Sequence, residues 1–192
     1  MSQLFRNLGL LLLGLLGMHL STVTAHASGA GLLCVEGVAG ESLRKGDVGC
    51  IDVMAWSWGK SIPVSIDVGG GGSTGKATFQ DFNFTKFVDS SSEDFFRLLV
   101  TGSLIKGVEY RQYLDCGACD ATAPYLTIKF RDSLMTSQSS AGSSGDRPVE
   151  SLSLTFSQVS YCYRPVSSEG NLGEPQCFAW DVAKNEIINP PF

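Results

Sequence analysis

The sequence predicts a mainly β domain, a sandwich or a closed barrel, with a single helix. Three observations point there. Charged residues make up only 17% of the chain, whereas glycine, at 22 residues, and serine are plentiful. That is the composition of a domain rich in turns. The apolar residues come in short runs that alternate with polar ones, the period of a half-buried strand. Only the stretch 91–101 switches to helical spacing.

Taken in order, Gly31 to Glu36 reads as a first strand and Gly37 to Gly49 as a turn-rich connection. Cys50 to Trp58, with β-branched and aromatic residues, is the second strand. Ser61 to Val68 is the third, with Ile62, Val64, Ile66 and Val68 on one face. Gly69 to Gly75 makes a flexible tip, and Lys76 to Phe87 is a fourth strand in which Phe82 and Phe84 share a face. Ser90 stands three residues before Glu93, the spacing of a capping box. Phe95, Leu98 and Leu99 follow at helical spacing, and Gly102 takes the C-terminal cap. The helix is therefore Ser91 to Thr101, and so short a helix needs a sheet to pack against. Strands resume at Lys106 to Leu114, Tyr125 to Leu134 and Glu150 to Tyr163. The last carries Leu152, Leu154 and Phe156 inward and bends near Ser157. Asp115 to Ala123 is a loop, and Ser137 to Asp146 is a Ser/Gly loop of the kind that stays mobile. Gln176 to Val182 is the final strand.

The first 27 residues read differently. Arg6 precedes an apolar run from Leu8 to Leu20, and Thr24-Ala25-His26-Ala27 offers small residues for cleavage after Ala27. This is the pattern of a secretory signal peptide, too short to span a membrane. Residues 1–27 are expected to be removed, leaving one domain over 28–192. Both histidines, His19 and His26, leave with the signal. Histidine-dependent catalysis and histidine-ligated metals leave with them. The mature chain keeps 13 Lys+Arg against 19 Asp+Glu, a net charge of −6, once Arg6 is subtracted from 14. Such a chain does not offer nucleic acid a basic face.

Six cysteines remain, Cys34, Cys50, Cys116, Cys119, Cys162 and Cys177. An even number in an exported chain reads as disulfides. Pairing sequence neighbours gives Cys34–Cys50, Cys116–Cys119 and Cys162–Cys177. Fifteen pairings are possible, and Cys34 and Cys50 exchange partners with Cys162 and Cys177 if the chain ends meet.

Each candidate for chemistry has a structural competitor. Gly70 to Lys76 reads G-G-G-S-T-G-K, but Ala77 stands where a phosphate-binding loop needs Ser or Thr, and a strand follows where it needs a helix. A hairpin tip is the better reading. Cys116-Gly117-Ala118-Cys119 lies between strands, beside Asp115 and Asp120, rather than at a helix N-terminus that would activate a thiol. Asn83-Phe84-Thr85 is a glycosylation sequon whose Phe84 belongs to the core. Trp56 and Trp58 share a strand face and read as core or interface. No pair among the 19 acids stands out for glycoside hydrolysis. No enzyme, cofactor or metal site is expected.

The ordered blocks do carry a resemblance. Gly37-Val38-Ala39-Gly40-Glu41-Ser42, then Ile51-Asp52-Val53-Met54-Ala55-Trp56-Ser57-Trp58-Gly59, resemble the opening of the Hcp family, the haemolysin-coregulated tube proteins of type VI secretion. Gly75 to Lys86 is similar to that family's G-K-x-x-x-x-D-x-x-F-T-K block, continued by Asp89. Tyr125-Leu126-Thr127-Ile128 with Asp132 follows, then Arg147-Pro148-Val149-Glu150 with Leu152, Leu154 and Phe156, and finally Phe178 to Asn185. The resemblance implies a small two-sheet β-barrel with one flanking α-helix, assembling as a homohexameric ring that stacks into a tube, carries secreted effector proteins and is not an enzyme. The cleaved signal and six cysteines depart from the family pattern. They imply an exported relative, periplasmic or extracellular, with no stable membrane insertion. The alternative is a secreted monomeric binding module or effector that keeps only the fold. The loops expected to reach neighbouring subunits are Gly70, Gly71, Gly72 and Ser73 at the glycine tip, and Ser139, Ser140, Gly142 and Ser143 in the Ser/Gly loop.

Overall fold

The computed structural model describes residues 30–66, 72–115 and 123–192. The expected signal segment, Gly70, Gly71, Cys116 and Cys119 lie outside the described residues. The chain opens with β1 (Gly31–Val35), β2 (Ile51–Val53) and β3 (Ala55–Ser57). An arm follows, built from β4 (Lys60–Ser61), β5 (Val64–Ile66), β6 (Gly72–Thr74) and β7 (Thr78–Phe79). Then come β8 (Phe82–Phe87), α1 (Ser91–Thr101), β9 (Ile105–Gln112), β10 (Leu126–Ala141), β11 (Val149–Tyr163), β12 (Gln176–Asp181) and β13 (Glu186–Ile187).

Two long strands organise the sheet. β10 runs along one side of β11 from Leu126↔Tyr163 to Ala141↔Val149. On its other side β11 pairs β8 through its first half and β12 through its second. All these pairs are antiparallel, and the path reads β13-β12-β11-β10-β9-β1-β2, with β3 joined through β8. Near Ser157, where a bend is expected, the pairing is interrupted. The ladder skips the Asp132–Ser157 pair, Asp132 takes a φ of 49°, and the Ser157 hydroxyl donates to the Arg131 carbonyl.

The expected closed barrel is corrected. Cys50 to Trp58 was read as one strand, but it breaks at Met54 into β2, which pairs β1, and β3, which pairs β8. The Met54 N–H turns to the Thr85 carbonyl instead. That break leaves the sheet curved but not closed by a continuous ladder. The third strand also divides, because Pro63 supplies no N–H at its centre. β5 and β6 pair only with each other among the described residues, as do β4 and β7.

The core follows the alternation. Phe82, Phe84, Ile128, Phe130, Leu152 and Leu154 are each 2% exposed or less. Trp56 stacks on Phe82, and Trp58 on Phe79, so the tryptophan pair packs, half-buried, against the core. α1 anchors through Phe95, which is fully buried with its ring 5.7 Å from that of Phe84. Gly102 has a φ of 61° as C-cap, a left-handed conformation that glycine adopts without strain. The capping box does not form: Ser90 has helical dihedrals and no side-chain cap bond. Asp89 does that work, its carboxylate accepting the Ser91 N–H at 2.9 Å.

The Ser/Gly loop is shorter than expected. Ser137 to Ala141 belongs to β10, and Ser139 and Ser140 sit opposite Ser151 and Glu150. Gly142 and Ser143 alone of the four loop candidates lie beyond the strand. β13 was missed because two residues carry no periodicity. Its turn is set by Asp181, which accepts the Lys184 N–H at 2.8 Å, and by Asn185 at φ 58°.

Candidate assembly surfaces

The charged residues that first look chemical are used to hold the frame. Lys86 is fully buried, and its ammonium donates to Asp89 at 2.7 Å and Ser92 at 2.9 Å and lies 3.1 Å from Glu150. Glu150 is 3% exposed and accepts from Ser92, Gln138 and Ser140. Burial pushes the Glu150 carboxyl up, but the hydrogen bonds from Ser92, Lys86 and Gln138 outweigh it and hold the pKa below its ordinary value. This network locks the start of α1 to β8, β10 and β11. It also explains why β10 continues past Ser137, since Gln138 and Ser140 must reach Glu150.

A second network braces the connection 37–49. Asp47, 4% exposed, takes the Tyr113 hydroxyl at 2.7 Å, a contact from Arg111, and Arg44 at 3.5 Å. Arg44 lies over the Tyr113 ring at 3.7 Å. Burial, and then the bond to Asp47, raise the Tyr113 pKa. Gly40 packs against Cys50, where a Cβ would collide with the Cys50 carbonyl. A disulfide joins Cys34 to Cys50 beneath the loop, with Cα atoms 4.5 Å apart. Another joins Cys162 to Cys177, directly opposed across β11 and β12. Cys34, Asp47 and Cys50 cluster closely enough to resemble a metal site. Their sulphurs are bonded to each other, however, and two arginines and Tyr113 occupy the carboxylate.

The braced loop holds Leu43 at 89% exposure and Val48 at 72%, the two most exposed large apolar side chains among the described residues. The arm likewise exposes Ile62 and Val64, which the alternation places on one face. Gly72 and Ser73 belong to the far strand of this arm. Along α1, Phe96 and Val100 lie one turn apart and point to solvent. Sequence patterning missed Leu43 and Val48, because single apolar residues in a turn have no period to betray them.

The comparisons with known proteins agree with one another. The sequence pattern of the family described as "Type VI secretion system effector, Hcp" matches residues 32–163. Protein hcp1 of Pseudomonas aeruginosa is 35% identical over 150 residues, covering 77% of this chain and 91% of that protein. The crystal structure of a type VI secretion system effector from Yersinia pestis is 28% identical, with a TM-score of 0.63 over 79% of this chain and 99% of its own. A further type six secretion system protein superposes with a TM-score of 0.77 at 24% identity, covering 84% of this chain and all of its own, a likeness of fold.

Proposed function

The chain belongs to the Hcp family of type VI secretion proteins, and from that premise we propose that it is a non-catalytic subunit of a self-assembling homohexameric ring, exported through a cleaved signal peptide. The observation that carries the assembly reading is the rigid display of Leu43 and Val48. Side chains so exposed on a loop fixed by a disulfide and a buried carboxylate lose little entropy on docking. Ile62 and Val64 on the arm offer a second patch on another part of the surface. Two different patches that meet head to tail build a ring when the rotation closes. The arm at Gly72 and Ser73, and the tip at Gly142 and Ser143, extend this reading to stacking between rings. Export is supported by the disulfides Cys34–Cys50 and Cys162–Cys177, which persist in oxidising compartments.

The test is the solution mass of the oxidised protein as secreted, with its N-terminus sequenced. Six times the monomer mass and a start near Ser28 are expected. A monomer at high concentration overturns the ring and favours a secreted binding module, and retention of Met1 overturns the export reading.

A further inference from the structure

Away from the braced loop, the inner face of the sheet is left uncovered between the arm and β12. There Trp58, Phe79, Val159, Tyr161, Phe178 and Trp180 line a groove of about 500 Å³. Two aromatic stacks face it. Trp58 lies on Phe79 with centroids 6.0 Å apart, and Phe178 on Trp180 at 6.2 Å. Val159, 4% exposed, makes the floor, whereas Phe178 is 54% exposed.

One charge stands at this groove. The Lys60 ammonium lies 4.3 Å from the Trp58 ring centroid and 5.5 Å from that of Tyr161. It forms no ion pair among the described residues. A nearly all-apolar slot edged by a cation with no carboxylate in reach among the described residues is complementary to a molecule with an apolar body and one anionic head.

We propose that this groove binds a small amphiphilic anion, an aryl or alkyl carboxylate or sulfonate, with its apolar body against Trp58, Phe79 and Phe178 and its head at Lys60. The slot is sized for one free molecule rather than for a bilayer. This site is independent of the ring reading and stands or falls separately from it.

The experiment uses the oxidised full-length mature protein with two fluorescent probes of the same aryl body. One is 1-anilinonaphthalene-8-sulfonate, which is anionic, and the other is N-phenyl-1-naphthylamine, which is neutral. Both are expected to bind at one site per chain, displaced by monomeric decanoate. Lys60→Gln is expected to weaken the sulfonate about tenfold and to leave the neutral probe within about twofold. Ala77 also lines the groove, and Ala77→Phe, which fills it, should abolish both. Phe178→Ala, at an exposed position that folding tolerates, should weaken both and covers the case in which Ala77→Phe misfolds. Equal loss of the two probes in Lys60→Gln, or binding that survives the groove variants and falls instead in Phe96→Ser, overturns the proposal. So does flotation with phosphatidylglycerol vesicles when decanoate displaces neither probe.

Discussion

At the scale of single residues, the buried ion network around Lys86 shows most plainly how structural need shapes this sequence. A fully buried ammonium is tolerable only with carboxylates and hydroxyls arranged around it. Asp89, Glu150 and Ser92 provide them. Removing the cation leaves two carboxylates buried together. Lys86→Met is therefore expected to destabilise the fold by about 3–5 kcal/mol, read as a lower midpoint in urea denaturation. The same network predicts acid sensitivity. The folded pKa of Glu150 is depressed below its ordinary value of 4.5. Its stabilising contribution is thus fully present above about pH 4.5 and is lost as pH falls through the lower folded value. Glu150→Gln should flatten the stability profile in that acid window and leave its slope above pH 6 unchanged. In the sequence, Lys86, Asp89 and Glu150 were visible as members of ordered blocks. Their meeting was not, because it depends on the register that sets Glu150 opposite Lys86 across β8 and β11.

At the scale of elements, periodicity located what is regular and missed what depends on hydrogen-bond partners. The helix is bounded as predicted, since Phe95 and Gly102 are local signals. The cap shifted by one residue because Asp89 is already fixed by Lys86 and can accept the Ser91 N–H without further ordering. The shift has a measurable consequence. Asp89→Ala should cost at least the 1–2 kcal/mol of a lost N-cap, and more through Lys86, whereas Ser90→Ala should shift stability by about 0.5 kcal/mol or less. Paired thermal melts separate the two, and equal losses would restore Ser90 as the cap. The arm depends on its partners in the same way. Ile62 and Val64 alternate like core residues, yet Pro63 between them and the separate β5–β6 ladder carry them away from the core. Alternation reports that one face is apolar, not what covers it.

At the scale of the whole molecule, mainly β character with one helix was legible from composition and period, and closure was not. Closure turns on whether the chain from Ile51 to Ser57 keeps one ladder, and at Met54 it changes partner from β1 to β8. The curved sheet that results buries the alternating aromatic residues of β8 and β10 and leaves apolar patches on the braced loop, the arm, the outer side of α1 and the groove, with single exposed residues such as Leu104 and Ile187 elsewhere. A soluble chain bears such exposed patches at a cost in solubility, and rigid ones mark contacts. The braced loop gives the sharpest test, because Leu43 and Val48 touch little within their own chain. Leu43→Glu with Val48→Glu should leave the thermal midpoint nearly unchanged, as exposed substitutions typically alter stability by about 0.5 kcal/mol or less. Charges buried against the neighbour's apolar patch should nevertheless split the assembly, read by light scattering as a fall from the ring mass to the monomer mass. Ile62→Glu with Val64→Glu tests the arm in the same way. If the loop variant dissociates rings and the arm variant leaves rings whole but unstacked in electron micrographs, the loop forms the lateral contact and the arm the axial one. If the oxidised parent forms rings and both variants do too, with stacking unchanged, neither patch is an assembly surface, and the contacts must be sought along α1 at Phe96 and Val100.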